Sequence, residues 1–315
     1  LKSWIVYKSE LVIDLLRDDK RLVVPHTVAN IRILEARYKR QFPNLIFAVS
    51  CIPLLLEGQV HRDIRRGLAD LISRGRPRIT AAMPDMMARH IAPLDREANP
   101  EWLSTALSPL VSELFAHMCG CPGPLAFPKL VITRLFDSFV SLAALGEAER
   151  QLDQLRRSLA ETAPDVDQAQ AVALLVLGRD SLLGTLATSL HAVLQQNLGR
   201  RFADIEFPEF PPETGVAIAE RVAAAEIPVG AHKIAAGDRV RLYFQPISDN
   251  GGVNKQALFG AGVHSCLGRP ISLDVWRAMI ETFGRFSSRV ASVACEFEPS
   301  NIFVMPRHLR TEHIQ

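Results

Sequence analysis

The chain has 315 residues, 48% of them hydrophobic and 22% charged, enough to bury a large core. Its 36 basic side chains balance 34 acidic ones for a formal charge of +2, which gives no electrostatic case for nucleic acid as a partner. Five scattered cysteines, an odd number, exclude a disulfide framework and fit a reducing, cytoplasmic setting.

Residues 4–7 read as a short strand running into a helix over 10–17, and the mixed polar stretch through Phe47 carries no clear period. From Glu57 onward helical spacing dominates. Helices are predicted over 60–73, 79–91, 102–118, 129–145 and 147–159, with Pro and Gly clusters between them. His61 and Arg65 stand four apart on one helix face. The neighbouring Arg62 and Arg66, like Arg74, Arg76 and Arg78, read as solvated faces. Cys119 and Cys121 are one residue apart, which is not a zinc or redox spacing. No repeat, low-complexity tract or long linker marks a boundary, so a single domain over 1–315 is expected.

Pro164 and Asp165 open a segment free of further proline as far as Asn197, where Gly199 supplies a stop signal. A helix of that length is about 50 Å long at 1.5 Å per residue. Its middle is apolar on most faces and should be buried, yet Gly178, Arg179, Asp180 and Ser181 interrupt it, at a place where a helix can widen or kink. No uninterrupted apolar run reaches the roughly 20 residues that span a bilayer, so no membrane partner is expected; the opening on Leu1 leaves an upstream segment open. After the long helix, Phe207, Pro208, Glu209, Phe210, Pro211 and Pro212 cannot continue a helix and predict an extended connector. Residues 221–224 and 240–244 then read as strands, with a turn over 234–238 in which Ala236, Gly237 and Asp238 separate two β-forming stretches.

The run Phe259, Gly260, Ala261, Gly262, Val263, His264, Ser265, Cys266, Leu267, Gly268, Arg269 sets one cysteine in a glycine-rich loop. Glycines let a flat ligand approach the backbone and reach left-handed dihedrals. Residues 270–283 have helical spacing with Pro270 in the first turn, and a helix N-terminus lowers the pKa of a nearby thiol. Two other readings are a buried cysteine acting as a small hydrophobe and a dinucleotide loop. The second fails on spacing, because Gly262 is not followed by glycine three residues later.

Phe259, Gly262, Cys266 and Gly268 fill every fixed place of the cysteine-ligand loop of the cytochrome P-450 superfamily, which this run resembles. The resemblance implies a mainly α fold with small β-sheets (α+β), a long central helix over a haem b, and Cys266 as the iron ligand. It implies further cofactor contacts from Gly178, Phe259, Gly260, Gly262 and Gly268, and haem-propionate contacts from His61, Arg65, Arg221 and His264. In the central helix Gly178, Asp180 and Ser181 are similar to the family's glycine, acid and alcohol, with Leu177 replacing a small residue and serine replacing threonine. Cleaving an O–O bond consumes two protons, which an alcohol backed by a carboxylate can relay, so Asp180 and Ser181 are the expected catalytic pair. A set of hydrogen-bond partners for a kinked core helix is the alternative for these residues, and Arg179 has no assigned role.

The chain also departs from the family pattern. The family carries Glu, two residues, Arg on a helix before the strand region, but none of Glu206, Glu209, Glu213 and Glu220 is followed by arginine three residues later. Glu147 and Arg150 have that spacing but precede the central helix. The family's long meander is reduced to residues 246–258, with Gly251 and Gly252.

Three functions follow from the resemblance and its gaps. The first is a monooxygenase acting on a small apolar or secondary-metabolite substrate with electrons from a ferredoxin- or flavodoxin-type donor. The second is a haem-thiolate peroxygenase, lyase or isomerase that needs no donor. The third is a non-catalytic haem-binding relative. Residues 125–160 are expected to roof the substrate pocket, with Phe136, Phe139 and Leu142 as candidate lining or core residues.

Overall fold

The computed structural model describes residues 2–121, 141–245, 247, 255–297, 302–304 and 306–314. Phe136, Phe139, Gly251, Gly252 and most of the helix expected over 129–145 lie outside them. The fold is mainly helical with three small sheets among the described residues. The chain divides into two compact units, Leu1–Asp70 with Pro128–Leu177 and Ala217–Cys266, and Leu71–Phe127 with Gly178–Val216 and Leu267–Gln315.

The first unit is built on a four-stranded sheet in the order β1-β6-β3-β2. Strand β1 (Ser3–Val6) runs parallel to β6 (Arg239–Tyr243), and β6 pairs antiparallel with β3 (Ile218–Ala223), which pairs with β2 (Leu22–Val23). The register sets Arg221 opposite Val240. A small hairpin joins β4 (Ile227–Val229) to β5 (His232–Ile234). The expected turn at Ala236, Gly237 and Asp238 lies between β5 and β6, with Gly237 at φ +87°. Asp238 closes that turn, accepting bonds from the Ala235 and Lys2 amides at 3.2 and 2.8 Å and from the Trp4 indole at 2.9 Å.

Helix α1 (Ser9–Arg17) follows β1 as expected and buries Val12, Leu15 and Leu16, the stripe its spacing dictates. The stretch without a clear period holds α2 (Thr27–Tyr38) and α3 (Pro43–Cys51). Glu149, from α6 (Leu142–Thr162), accepts bonds from the Asn44 and Leu45 amides at 2.9 Å each, satisfying the first turn of α3. Two separate helices expected over 60–73 and 79–91 are one, α4 (Gly58–His90), despite Pro77 and Pro84 inside it.

In the second unit tertiary contacts brace α4 on either side of Pro77. Gly75 lies against Met118, and the Arg78 guanidinium donates to the carbonyl oxygens of His117 and Met118 at 3.0 Å each. The helix expected over 102–118 is a π-helical turn, Leu103–Leu107, leading into α5 (Ser108–Cys119). Gly120 caps α5 in the left-handed conformation, with φ +71°. Helix α8 (Arg269–Phe283) and the antiparallel pair β7 (Arg289–Phe297) and β8 (Pro306–Ile314) complete this unit. Its core is aromatic: Trp102, Phe202, Phe283 and Phe286 have ring centroids 5.2–5.9 Å apart in successive contacts.

The central helix α7 (Gln168–Gln195) is α-helical throughout, so the polar interruption at Gly178 to Ser181 neither widens nor breaks it. Among the described residues it is the one helix long and apolar enough to cross a membrane by length and composition, and most of it is buried in the fold.

Candidate functional site

The cysteine loop folds as its glycines require. Gly260 and Gly262 take φ +78° and +68°, conformations an L side chain rarely adopts. A β-carbon on Gly262 would stand 2.9 Å from the Leu16 carbonyl oxygen, so the end of α1 abuts the loop backbone directly. The Cys266 amide donates to the Phe259 carbonyl at 2.7 Å, and the Ser265 amide to Gly262 at 3.2 Å, closing the loop on itself. The Cys266 thiol side chain is exposed, and none of the five cysteines forms a disulfide. Phe259 ends a 3-10 turn and is half-buried. Gly268 caps α8 at φ −78°, a conformation open to any residue.

Within the same unit four basic side chains gather at this loop. Arg65 donates to the Ser265 carbonyl at 2.5 Å and approaches its hydroxyl at 3.3 Å. The rings of His61 and His264 lie 4.5 Å apart, tilted by 53°. Arg221 is 4% exposed and donates to the neighbouring Glu220 carbonyl at 2.8 Å. Burial, slightly opposed by Glu57, lowers its pKa to about 10. Burial, then the charges of Arg221, His61 and Arg65, lower His264 to about 3, and burial followed by Arg65 lowers His61. Arg65 is also lowered by burial, while Cys266 acts in the opposite sense.

Both imidazoles are therefore neutral near pH 7, and both arginines keep their charge. His61 Nε2 and His264 Nδ1 are buried with no hydrogen-bond partner among the described residues. Leaving such groups unmatched costs about 1–3 kcal/mol each. An anionic ligand with several acceptor oxygens satisfies this set, and the residues present fit the two carboxylates of a haem. Arg65 is thus not one of a row of solvated arginines, whereas Arg62 and Arg66 beside it are exposed.

In the second unit, α7 carries Gly178 and Ser181 half-buried and Asp180 buried. Arg179, also buried, pairs with Asp180, its Nη1 standing 2.9 Å from Oδ1, and its Nη2 lies 3.4 Å from the Ser108 hydroxyl on α5. Successive helix residues point about 100° apart, so the long arginine stem must fold back to make this pair. The acid of the expected proton relay is neutralised by its neighbour in sequence, a contact that residue spacing could not reveal. The structure gathers His61, Arg65, Arg221 and His264 at the Cys266 loop in one unit, and holds Asp180 and Ser181 in the other.

No protein-family model matches the sequence, and no curated protein matches it. Solved structures do match over nearly the whole chain, and the fold they share is that of cytochrome P-450. P450BioI, solved with an acyl carrier protein bearing hexadec-9Z-enoic acid, is 17% identical with a TM-score of 0.71, over 98% of this chain and 92% of that one. The thermophilic cytochrome P-450 from Sulfolobus tokodaii is 17% identical with a TM-score of 0.67, covering 99% and 95%. The cytochrome P-450 CYP109B1 from Bacillus subtilis is 13% identical at the same TM-score, covering 99% and 93%.

Proposed function

We propose that this chain is a haem-thiolate monooxygenase in which Cys266 ligates the iron. The observation that carries the reading is the basic cluster at the cysteine loop, two arginines and two imidazoles whose buried His61 Nε2 and His264 Nδ1 have no partner among the described residues. Arg65, Arg221, His61 and His264 would hold the haem carboxylates, and Gly260 would leave the loop without a side chain on the macrocycle's side, while Gly262 lets the end of α1 abut the loop. When bound, haem with a thiolate ligand supplies dioxygen activation, the thiolate pushing electron density toward O–O cleavage.

The protein's part is to bind, orient and deliver protons. Ser181 follows Asp180 on α7, and the Asp180 carboxylate is paired with Arg179. By the family resemblance, Ser181 would pass a solvent proton and Asp180 would order that hydroxyl or a water beside it. The substrate class is a small apolar molecule or the acyl chain of a carrier-borne fatty acid, the second suggested by P450BioI. Electrons would come from a ferredoxin- or flavodoxin-type donor.

One observation favours the donor-independent reading. Residues 205–217 contain no helix, so the Glu and Arg pair of the resembling family has no counterpart there. Substrate turnover with a reduced ferredoxin and dioxygen supports the monooxygenase. Turnover with peroxide alone, unimproved by any donor, selects the peroxygenase.

A further inference from the structure

The connector between the central helix and the strands is tied to α7 by a set of bonds lying wholly within the second unit. The Thr185 hydroxyl donates to the Ser181 carbonyl at 2.7 Å and accepts the Gly215 amide at 2.8 Å. One turn on, the Ser189 hydroxyl accepts the Glu213 amide and donates to the Glu213 carbonyl, each at 3.1 Å. The two backbones touch. A β-carbon on Gly215 would lie 2.3 Å from the Ser181 carbonyl oxygen and 2.7 Å from the Thr185 nitrogen, and one on Gly184 would lie 2.5 Å from the Val304 carbonyl. The Val304 amide in turn donates to the Gly215 carbonyl at 2.9 Å, so Gly215 is held from both sides. At its other end the connector is pinned where the indole of Trp276, fully buried in α8, donates to the Pro208 carbonyl at 2.9 Å.

We propose that Thr185 and Gly215 are positioning residues for Ser181, fixing the backbone of the relay hydroxyl from the connector; this rests on the monooxygenase reading above. A threonine hydroxyl bonded to the carbonyl four residues back bends and tightens the helix turn it spans. Here that hydroxyl is itself locked by the Gly215 amide, so the turn from Ser181 to Thr185 has one arrangement. One glycine and two alcohols thereby tie α7 to the connector, and the Trp276 indole ties the connector to α8, where the resembling family's Glu and Arg helix is missing.

Cumene hydroperoxide tests this without knowledge of the substrate. Heterolysis sends both O–O bond electrons and one proton to the cumyl oxygen and yields 2-phenyl-2-propanol. Homolysis leaves a cumyloxyl radical, which loses methyl to give acetophenone. In haem-loaded Thr185→Val the ratio of alcohol to ketone falls about fivefold, the worth of one hydrogen bond, while Thr185→Ser, which keeps the hydroxyl, retains the ratio. Gly215→Ala lowers it as well. Amide exchange at Gly215 speeds in Thr185→Val. Faster exchange with an unchanged ratio overturns the proposal, because Thr185 is then structural only. A native chain whose reduced carbon monoxide complex lacks the long-wavelength Soret band of a thiolate ligand overturns the haem reading and this proposal together.

Discussion

Gly262 and Arg221 show how single residues at the cysteine loop divide the work of folding and binding. Gly262 combines φ +68° with a backbone contact that leaves no room for a β-carbon, so Gly262→Ala is expected to cost about 1–3 kcal/mol in urea unfolding. Gly268, at φ −78°, carries no such backbone strain, and an equal loss on Gly268→Ala would refute the conformational account. Arg221 is a buried cation whose charge Glu57 favours but does not offset against burial. Replacing a buried charge by an apolar side chain of similar volume is neutral or stabilising. Arg221→Met is therefore expected to leave the haem-free chain as stable as before or more so, while haem dissociation speeds about tenfold. A variant that unfolds more readily and keeps its haem would show that Arg221 serves the fold. At this scale the tight glycine turn of the cysteine loop, with Gly260 and Gly262 at positive φ, was legible because a loop motif has fixed spacing. Glu57, Ser108 and the Arg179 bond to Asp180 were not, since they depend on which way long or distant side chains turn.

Elements were legible where one face alone decides the structure. The stripe of α1 and the buried length of α7 follow directly from residue spacing. Helix α4 was misread because Pro77, between the two expected helices, was given its local meaning, a break costing about 3 kcal/mol in an isolated helix. The contacts of Gly75 and Arg78 with the end of α5 override that preference. A second tie between elements carries a pH signature. Asp95, in the 3-10 turn Ala92–Arg96, accepts the Ser287 and Ser288 amides at 3.1 and 2.9 Å at the entry to β7. Burial alone would raise its pKa, but these amides and hydroxyls hold it below the usual carboxylate value. A depressed carboxylate stabilises the fold above its unfolded pKa and loses that contribution as pH falls through the folded value. Asp95→Asn is thus expected to be less stable than the native chain by about 1–2 kcal/mol at pH 7. The difference should shrink in urea titrations below about pH 4. A gap that stays constant down to pH 2 would mean that the carboxylate charge is irrelevant.

At the scale of the whole molecule, a P-450 fold persists at 13–17% identity to the solved structures compared. A core of this kind needs apolar side chains of fitting volume more than particular ones, so the fold outlasts the sequence. The fold class was legible from helix-rich periodicity together with one loop motif. The tie that stands where the Glu and Arg helix is missing was not, because a glycine in a proline-rich connector carries no period and Thr185 reads as an ordinary helix residue. The proposed function rests on the basic cluster at the Cys266 loop, with its buried imidazole nitrogens and two arginines. The direct test is the spectrum of the reduced carbon monoxide complex in the native chain and in Cys266→Ser. The account predicts the long-wavelength Soret band of thiolate ligation in the native chain and its loss in the variant, and a band that survives the substitution, or never forms in the native chain, would contradict it.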